Sequence, residues 1–306
     1  MSAKKMSYEE LFNSTTMFYI NPAYEAQIEK EVQAKTASIS MGLRTIRDKE
    51  SLKRYIIDHK DSLDNLTSVA EISVERFKRM VSMIRKDRGF HFATEWGLSK
   101  IRTAMMESPA MMESILNLLW DGKNDEKMKA CIPAFYLENL SMDKTTLLKL
   151  QDVNNVRQLV KRGLEGRYSN GVGDCILADI EKELKRVCSK YGLEYQSNVR
   201  VPILDRAVSF VLESPTKPRL ILDVSYSVTT SSSQGSKKTA ARKTVETIKK
   251  ERAAGRNIIY VNFLDGAGWI GRQADLKEIH RCSDYVLNFQ NMGLLEDIID
   301  AHIDEF

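Results

Sequence analysis

The chain has 306 residues, enough for two domains or one large one, and its 42% hydrophobic content excludes wholesale disorder. No apolar run approaches the ~18 residues of a transmembrane helix, and "MSAKKMSYEELFNS" turns acidic and polar where a signal peptide would be apolar, so a cytoplasmic protein with no membrane partner is expected. Net charge is +4, yet residues 237–256 hold eight Lys or Arg against two Glu, which leaves the remainder at −2. Charge so concentrated points to a polyanion partner, with a solvated helix face as the plainer alternative.

The first ~160 residues read as mostly helical. Apolar positions recur at helical spacing in "NPAYEAQIEKEVQAKTASISMGLRTI", "KESLKRYIIDHKDSLDNL" and "SVERFKRMVSMIRKD". "SPAMMESILNLLWDG" opens on Ser-Pro, a helix start, and stops at Gly122. Met105, Met106, Met111 and Met112 read as core filler. "DKTTLLKLQDVNNVRQLVKRGLEG" continues the pattern to about Gly163.

The texture then changes. "GLEGRYSNGVGD" has four glycines in twelve residues and reads as a loop or linker. A helix from Asp174 carries the stripe Ile176, Leu177, Ile180, Leu184 and Val187 and stops at Gly192. "EYQSNVRVPIL", "RAVSFVLES" and "RLILDVSYSV" read as strands, the last two joined by a turn at "SPTKP". A helix from about Ser236 to Ala254 ends at Gly255, before the strand "NIIYVNFLDG". "QADLKEIHRCS" and "MGLLEDIIDAHI" close the chain as helices around the short strand "DYVLNF". The order α-β-β-β-α-β-α-β-α predicts an α/β (α+β) fold, a mixed sheet flanked by helices.

Several chemistries lack support. Cys131, Cys175, Cys188 and Cys282 are widely spaced and are expected to be buried, reduced thiols. His59, His91, His280 and His302 are equally scattered. Zinc-peptidase, nucleophile-elbow and Walker A patterns do not occur.

The acids on the strands are more informative. Asp205 sits where one strand begins, and Asp223 lies near the end of the next. A hairpin through "SPTKP" is expected to bring the two carboxylates side by side. Two converging carboxylates can hold Mg2+, a hard cation that prefers oxygen, with the main-chain carbonyl of Val224 as a further ligand. Such an ion lowers the pKa of a bound water and neutralises charge growing on a phosphate.

This arrangement resembles the PD-(D/E)xK nuclease core, in which an acid opens one strand and a second acid, usually with a lysine two residues later, lies on the adjacent strand. A narrower likeness is to the DpnII/MboI type of restriction endonuclease. It rests on "GLEGRYSNGVGD", "ILDRAVSFVL", "LILDVSY", "GSKKTAARK" and "FLDGAGW" in order, with a helical N-terminal half that includes "SVERFKRMVSMIRKD". The likeness spans most of the chain and is dense from Gly163 onward. It implies a helical domain over 1–162, for dimerisation or DNA clamping, and a nuclease domain over 163–306. It further implies Mg2+-dependent cleavage of both strands of a short palindromic DNA site, with Asp205 and Asp223 at the metal. A palindromic target calls for two active sites and hence a homodimer. A host methyltransferase would be the functional partner.

Three departures from that pattern matter. Ser225 stands where the lysine is usual, so it can hold a water but carries no charge. Asp223 is one methylene shorter than the more common Glu. The segment after "GLE" lacks an arginine-lysine pair, which leaves Glu165 and Arg167 without an assigned role. Helical spacing from Ala241, Val245 and Ile248 places Lys237 on the inward stripe, so Lys237, and after it Lys238, is the candidate to serve the scissile phosphate. Plain backbone contact with DNA is the alternative for both.

Thr230, Ser232, Ser233, Gln234 and Ser236, in "TTSSSQGS", could contact phosphates or base edges, as could Lys238 and Arg242. Gln234 is the side chain there suited to adenine. A flexible connector is the alternative for that loop. Trp269 reads as a structural anchor ahead of a base contact, and Glu181 and Glu213 stand as reserve acids. Two readings compete with restriction: another nuclease on the same core, for repair or junction cleavage, and a catalytically inactive DNA-binding protein.

Overall fold

A computed structural model describes residues 3–89, 93–142, 146–148 and 152–305. His91, and parts of the stretch read as helical over 143–151, lie outside the described residues. The chain divides into two compact units, one of residues 25–169 and one of residues 1–24 with 170–306. The position expected to separate two domains, 162/163, falls inside a single long helix.

The helices of the first half begin and end where local chemistry sets them. Helix α1 (Tyr8–Ser14) opens with a capping box from Ser7 to Glu10, and α2 spans Pro22–Leu43. The stretch read as one helix from Lys49 is two, α3 (Lys49–Asp58) and α4 (Ser62–Val69), because the chain turns at His59–Asp61. Ser73 caps α5 (Val74–Asp87), and α6 spans Leu98–Glu107. Ser108 caps α7 (Pro109–Asp121), with Pro109 at its first position and Gly122 at its end. The short α8 (Glu126–Lys129) and α9 (Ala134–Leu137) follow.

Their apolar faces form one core that includes Leu52, Ile56, Leu66, Phe77, Ile101, Ile115 and Leu118. Met105, Met111 and Met112 are buried in it as expected, whereas Met106 is exposed. Among the cysteines only Cys188 is buried; Cys131 is exposed, and Cys175 and Cys282 are intermediate.

The glycine-rich stretch expected to be a loop is helical. Helix α10 runs unbroken from Val153 to Tyr191. Its buried positions keep a four-residue step through the glycines: Val156, Val160 and Leu164, then Val172, Ile176, Ile180 and Leu184. Leu177, read into that stripe, is exposed. A Cβ on Gly171 would lie 2.0 Å from the Tyr24 hydroxyl, so that glycine permits a close approach. The helix stops where predicted, before Gly192 at φ +67°.

The sheet matches the predicted order. Strands β1 (Tyr195–Val201), β2 (Arg206–Ser214) and β3 (Lys217–Tyr226) form an antiparallel meander. Helix α11 (Ser232–Ala253) then crosses to β4 (Ile259–Asp265), which is parallel to β3. Short α12 (Ala267–Ile270) and α13 (Gln273–Cys282) lead to β5 (Tyr285–Leu287), parallel to β4, and α14 (Leu294–Ala301) follows. The sheet order is β1-β2-β3-β4-β5. All seven residues of β4 are buried, as a central parallel strand requires. Val211 and Ile221 share a core with Ala241 and Ile248 of α11 and with Leu276 and Ile279 of α13. The fold is the mixed α/β one expected, a five-stranded sheet flanked by helices.

Candidate active site

Asp205 and Asp223 do not stand side by side. The β2–β3 ladder runs from Ser214↔Lys217 to Phe210↔Leu222 and stops there, so both acids lie beyond it. Continued by one step, the register sets Asp223 opposite Ser209, and the Val224 N–H donates to Ser209 Oγ at 3.0 Å. Asp205 lies four residues further along, about 13 Å at the usual rise per residue. It caps the 3-10 turn Pro202–Leu204 in left-handed conformation, φ +52°. Its side chain is 87% exposed and paired with Arg200.

The residue that meets Asp223 is Arg206, one position after Asp205. Its guanidinium forks onto the carboxylate, Nη1 to Oδ1 at 2.9 Å and Nη2 to Oδ2. Nη2 also donates to Thr244 Oγ1 on α11 at 2.7 Å, and Nη1 to the Ala207 carbonyl at 3.0 Å. The Tyr260 hydroxyl of β4 donates to Asp223 Oδ2 at 2.8 Å. Burial pushes the Tyr260 phenol pKa up, and the neighbouring carboxylate adds to the rise, so this hydroxyl stays a donor. Arg206, Asp223, Thr244 and Tyr260 thus join β2, β3, β4 and α11 in one charge-paired cluster. Arg206 follows the first acid directly, but its reach across the splayed strands has no pattern in the sequence.

The basic helix begins earlier than expected, at Ser232, so Ser232, Ser233 and Ser236 are exposed helical residues. Only the segment before the Ser231 cap is loop, and Thr230 on it is exposed. Gln234 is 1% exposed, and its Oε1 accepts the Ser231 N–H at 2.8 Å. It closes a capping box and is not presented to a base edge, contrary to the adenine-reading expectation. The buried stripe is Gln234, Ala241, Thr244 and Ile248, and Lys237 is exposed instead of inward. Lys237, four residues before Ala241, shares the angle of that stripe, so its exposure does not come from helix phase.

The charge of α11 is partly spent inside the unit. Lys238 pairs with Asp275 at 2.6 Å and Arg242 with Glu278 at 3.1 Å, both on α13. Arg252 pairs with Asp284 and Arg256 with Glu251. Half of the eight cations are therefore neutralised locally. Lys237, Lys243, Lys249 and Lys250 are exposed and carry no ion pair among the described residues.

Trp269 is the anchor expected of it: it is fully buried, and its indole N–H donates to the Ser225 carbonyl at 3.1 Å. Val224 sits in the sheet opposite Phe263. Glu181 accepts from the Tyr195 hydroxyl at 3.3 Å. Glu213 occupies an irregularity in the β2–β3 ladder at φ +69° and pairs with Arg219. Arg167 pairs with Glu31.

Asp265, in "FLDGAGW", has a role the sequence did not disclose. Fully buried, it accepts backbone N–H groups from Thr16 at 2.6 Å, Gly266 at 2.9 Å and Phe289 at 3.0 Å. Burial raises its pKa, and those three donors pull it back. A run of backbone donors this far apart in sequence could be found only from the fold.

The expected Mg2+ site can be tested on these residues. Both oxygens of Asp223 are engaged by Arg206 and Tyr260, and Asp205 is turned outward on Arg200. No group of three or more His, Cys, Asp or Glu among the described residues is placed to hold a metal ion. One ion shared by Asp205, Asp223 and the Val224 carbonyl does not fit this arrangement.

Residues 151–302, just under half of the chain, match the family model of the BanI C-terminal domain, a type II restriction-endonuclease family. The match covers α10, all five strands, α11 and the helices between them. It supports a restriction enzyme and leaves the narrower DpnII/MboI likeness unconfirmed. No curated protein matches the chain.

Proposed function

We propose, from the likeness of residues 151–302 to the BanI C-terminal domain, that the chain is a type II restriction endonuclease that cuts both strands of a short palindromic DNA site. That match, laid on the α-β-β-β-α-β order of the C-terminal unit, is the observation that carries the reading. The reaction adds water to the phosphorus and breaks its bond to the 3′ oxygen. It leaves a 5′-phosphate and a 3′-hydroxyl, and the proton from water ends on the departing oxygen. Mg2+ enters this reading through the family likeness alone. Ser225 is assigned to hold a water and Asp223 is the acid of the site; Asp205, paired outward with Arg200, would have to turn inward to join it. Cleavage through Asp223 requires Arg206 to release its carboxylate. Lys237, exposed at the start of α11, takes the role of a phosphate contact.

A homodimer matches a palindromic target, with a DNA methyltransferase protecting the host's own sites. A second reading has a specific observation in its favour. The closed Arg206–Asp223–Tyr260 cluster suits a DNA-binding protein that does not cleave.

Digestion of a sequenced plasmid in Mg2+ and in EDTA, followed by end-mapping, separates these. Discrete, metal-dependent fragments support restriction. Random degradation points to a different nuclease, and retention without cleavage to the second reading. Lys237→Ala should weaken plasmid binding and lower the salt slope of binding by about one. Single-turnover cleavage lost at unchanged binding would instead put Lys237 in the chemistry.

A further inference from the structure

The segment Thr16–Ile20 presents large apolar side chains to solvent. Met17 is 53% exposed, Phe18 61% and Ile20 73%. The backbone that carries them is not loose. The Thr16 N–H is held by Asp265 Oδ1 at 2.6 Å, and the Met17 carbonyl accepts from the Ala267 N–H at 3.0 Å. The Tyr19 N–H donates to the Tyr226 hydroxyl at 2.7 Å. The Tyr19 ring stacks on Phe289 at 5.0 Å, and its hydroxyl donates to Asp179 at 2.5 Å. Thr16 and Tyr19 therefore anchor inward while Met17, Phe18 and Ile20 are fixed outward. An apolar ridge held this firmly in water is an interaction surface.

Its surroundings identify the occupant. The ridge is bonded to the turn after β4, and the loop before α11 packs on that same turn. The Gly268 N–H donates to the Ser227 carbonyl at 2.7 Å, and a Cβ on Gly271 would meet Thr230 Cγ2 at 2.6 Å. The ridge thus adjoins the exposed hydroxyls of Thr229 and Thr230, which lead into the serines and the unpaired Lys237 of α11. Apolar side chains beside exposed hydroxyls and an unpaired lysine suit a nucleic acid, whose charged backbone flanks stacked apolar bases. The three side chains offer on the order of 400 Å², well short of the ~800 Å² per partner of a stable protein interface. Met, Phe and Ile are the kinds of side chain that enter between base steps as wedges.

We infer that Met17, Phe18 and Ile20 form a wedge that inserts between base pairs of the bound duplex and unstacks them. The inference rests on the DNA-cleaving reading and adds a contact that deforms the DNA. Insertion unwinds the helix, so it can be read on any closed circular plasmid. The plasmid is relaxed by a metal-independent topoisomerase in EDTA with the full chain bound, then deproteinised. The wild type should leave the plasmid negatively supercoiled in proportion to protein bound. Phe18→Ser with Ile20→Ser should lose at least about two-thirds of that shift at equal occupancy. Its thermal midpoint should not change, because both side chains are exposed, and Phe18→Trp should keep the shift.

Equal unwinding by the double variant and the wild type overturns the wedge. Plasmid binding without unwinding by the wild type does so too, while leaving the DNA reading intact. Failure of the wild type to bind plasmid overturns both. If the double variant sediments as a monomer where the wild type is a dimer, a second copy covers the ridge and the wedge is wrong.

Discussion

Asp223 shows how a residue legible in sequence can have partners that are not. Its place near the end of a strand, in "LILDVSY", follows from the apolar run, and the structure puts it there. Its side chain, however, is a counter-ion in a partly buried cluster. Asp223→Ala would leave the Arg206 guanidinium and the Tyr260 hydroxyl short of their acceptor. We expect a loss of about 3 kcal/mol in urea unfolding of the intact chain. Asp205→Ala, at an exposed side chain, should stay within about 0.5 kcal/mol. Similar stabilities for the two variants would deny Asp223 the structural role and return it to the chemistry alone. Gln234 is a parallel case: a polar residue in a serine-rich run reads as a reader of bases, and the capping box takes its Oε1.

At the scale of elements, periodicity was the reliable guide and composition the misleading one. The glycines of 163–174 argue for a loop, but the four-residue apolar step continues through them and the helix follows the step. Burial along thirty-nine residues outweighs a glycine penalty of about 1 kcal/mol at each position. Two of those glycines should respond oppositely to alanine. A Cβ on Gly166 meets nothing within 4 Å, so Gly166→Ala should stabilise by up to about 1 kcal/mol. Gly171→Ala drives a methyl into the Tyr24 ring and should destabilise. In a Tyr24→Ala background the sign at 171 should reverse, which thermal midpoints of the four chains would show. A loss at 171 that persists without the ring would mean that something else excludes the methyl.

For the molecule as a whole, the unexpected feature is the N-terminal arm. Residues 1–24 belong to the unit of residues 170–306, held through Asp265, Tyr226, Asn288 and His280. The His280 Nε2 lies 2.8 Å from the Met6 carbonyl and, neutral, donates to it. Burial lowers the pKa of this imidazole, more than the Met6 bond raises it. The folded state thus prefers neutral His280. The stability this supplies is present above the unfolded pKa of about 6.5 and is lost as pH falls through the lower folded value. Acidification from about pH 7.5 to 5 should lower the thermal midpoint. His280→Gln keeps a donor for Met6 without a titrating ring and should flatten that decline. Parallel declines in the two chains would exclude His280 as a source.

The sequence by itself determined the order of elements in the C-terminal half, the helix start at Ser108, the helix stops at Gly122, Gly192 and Gly255, and the buried anchor at Trp269. These depend on residues within a few positions of each other, through periodicity, capping and backbone freedom. Tertiary structure alone decided which side chain meets Asp223, which half of the basic helix keeps its charge, and that the first 24 residues complete the distant sheet unit. Those outcomes turn on strand register, helix phase and bonds between residues more than two hundred positions apart. A shift of one residue in register or phase reverses them, and local preference carries no record of it.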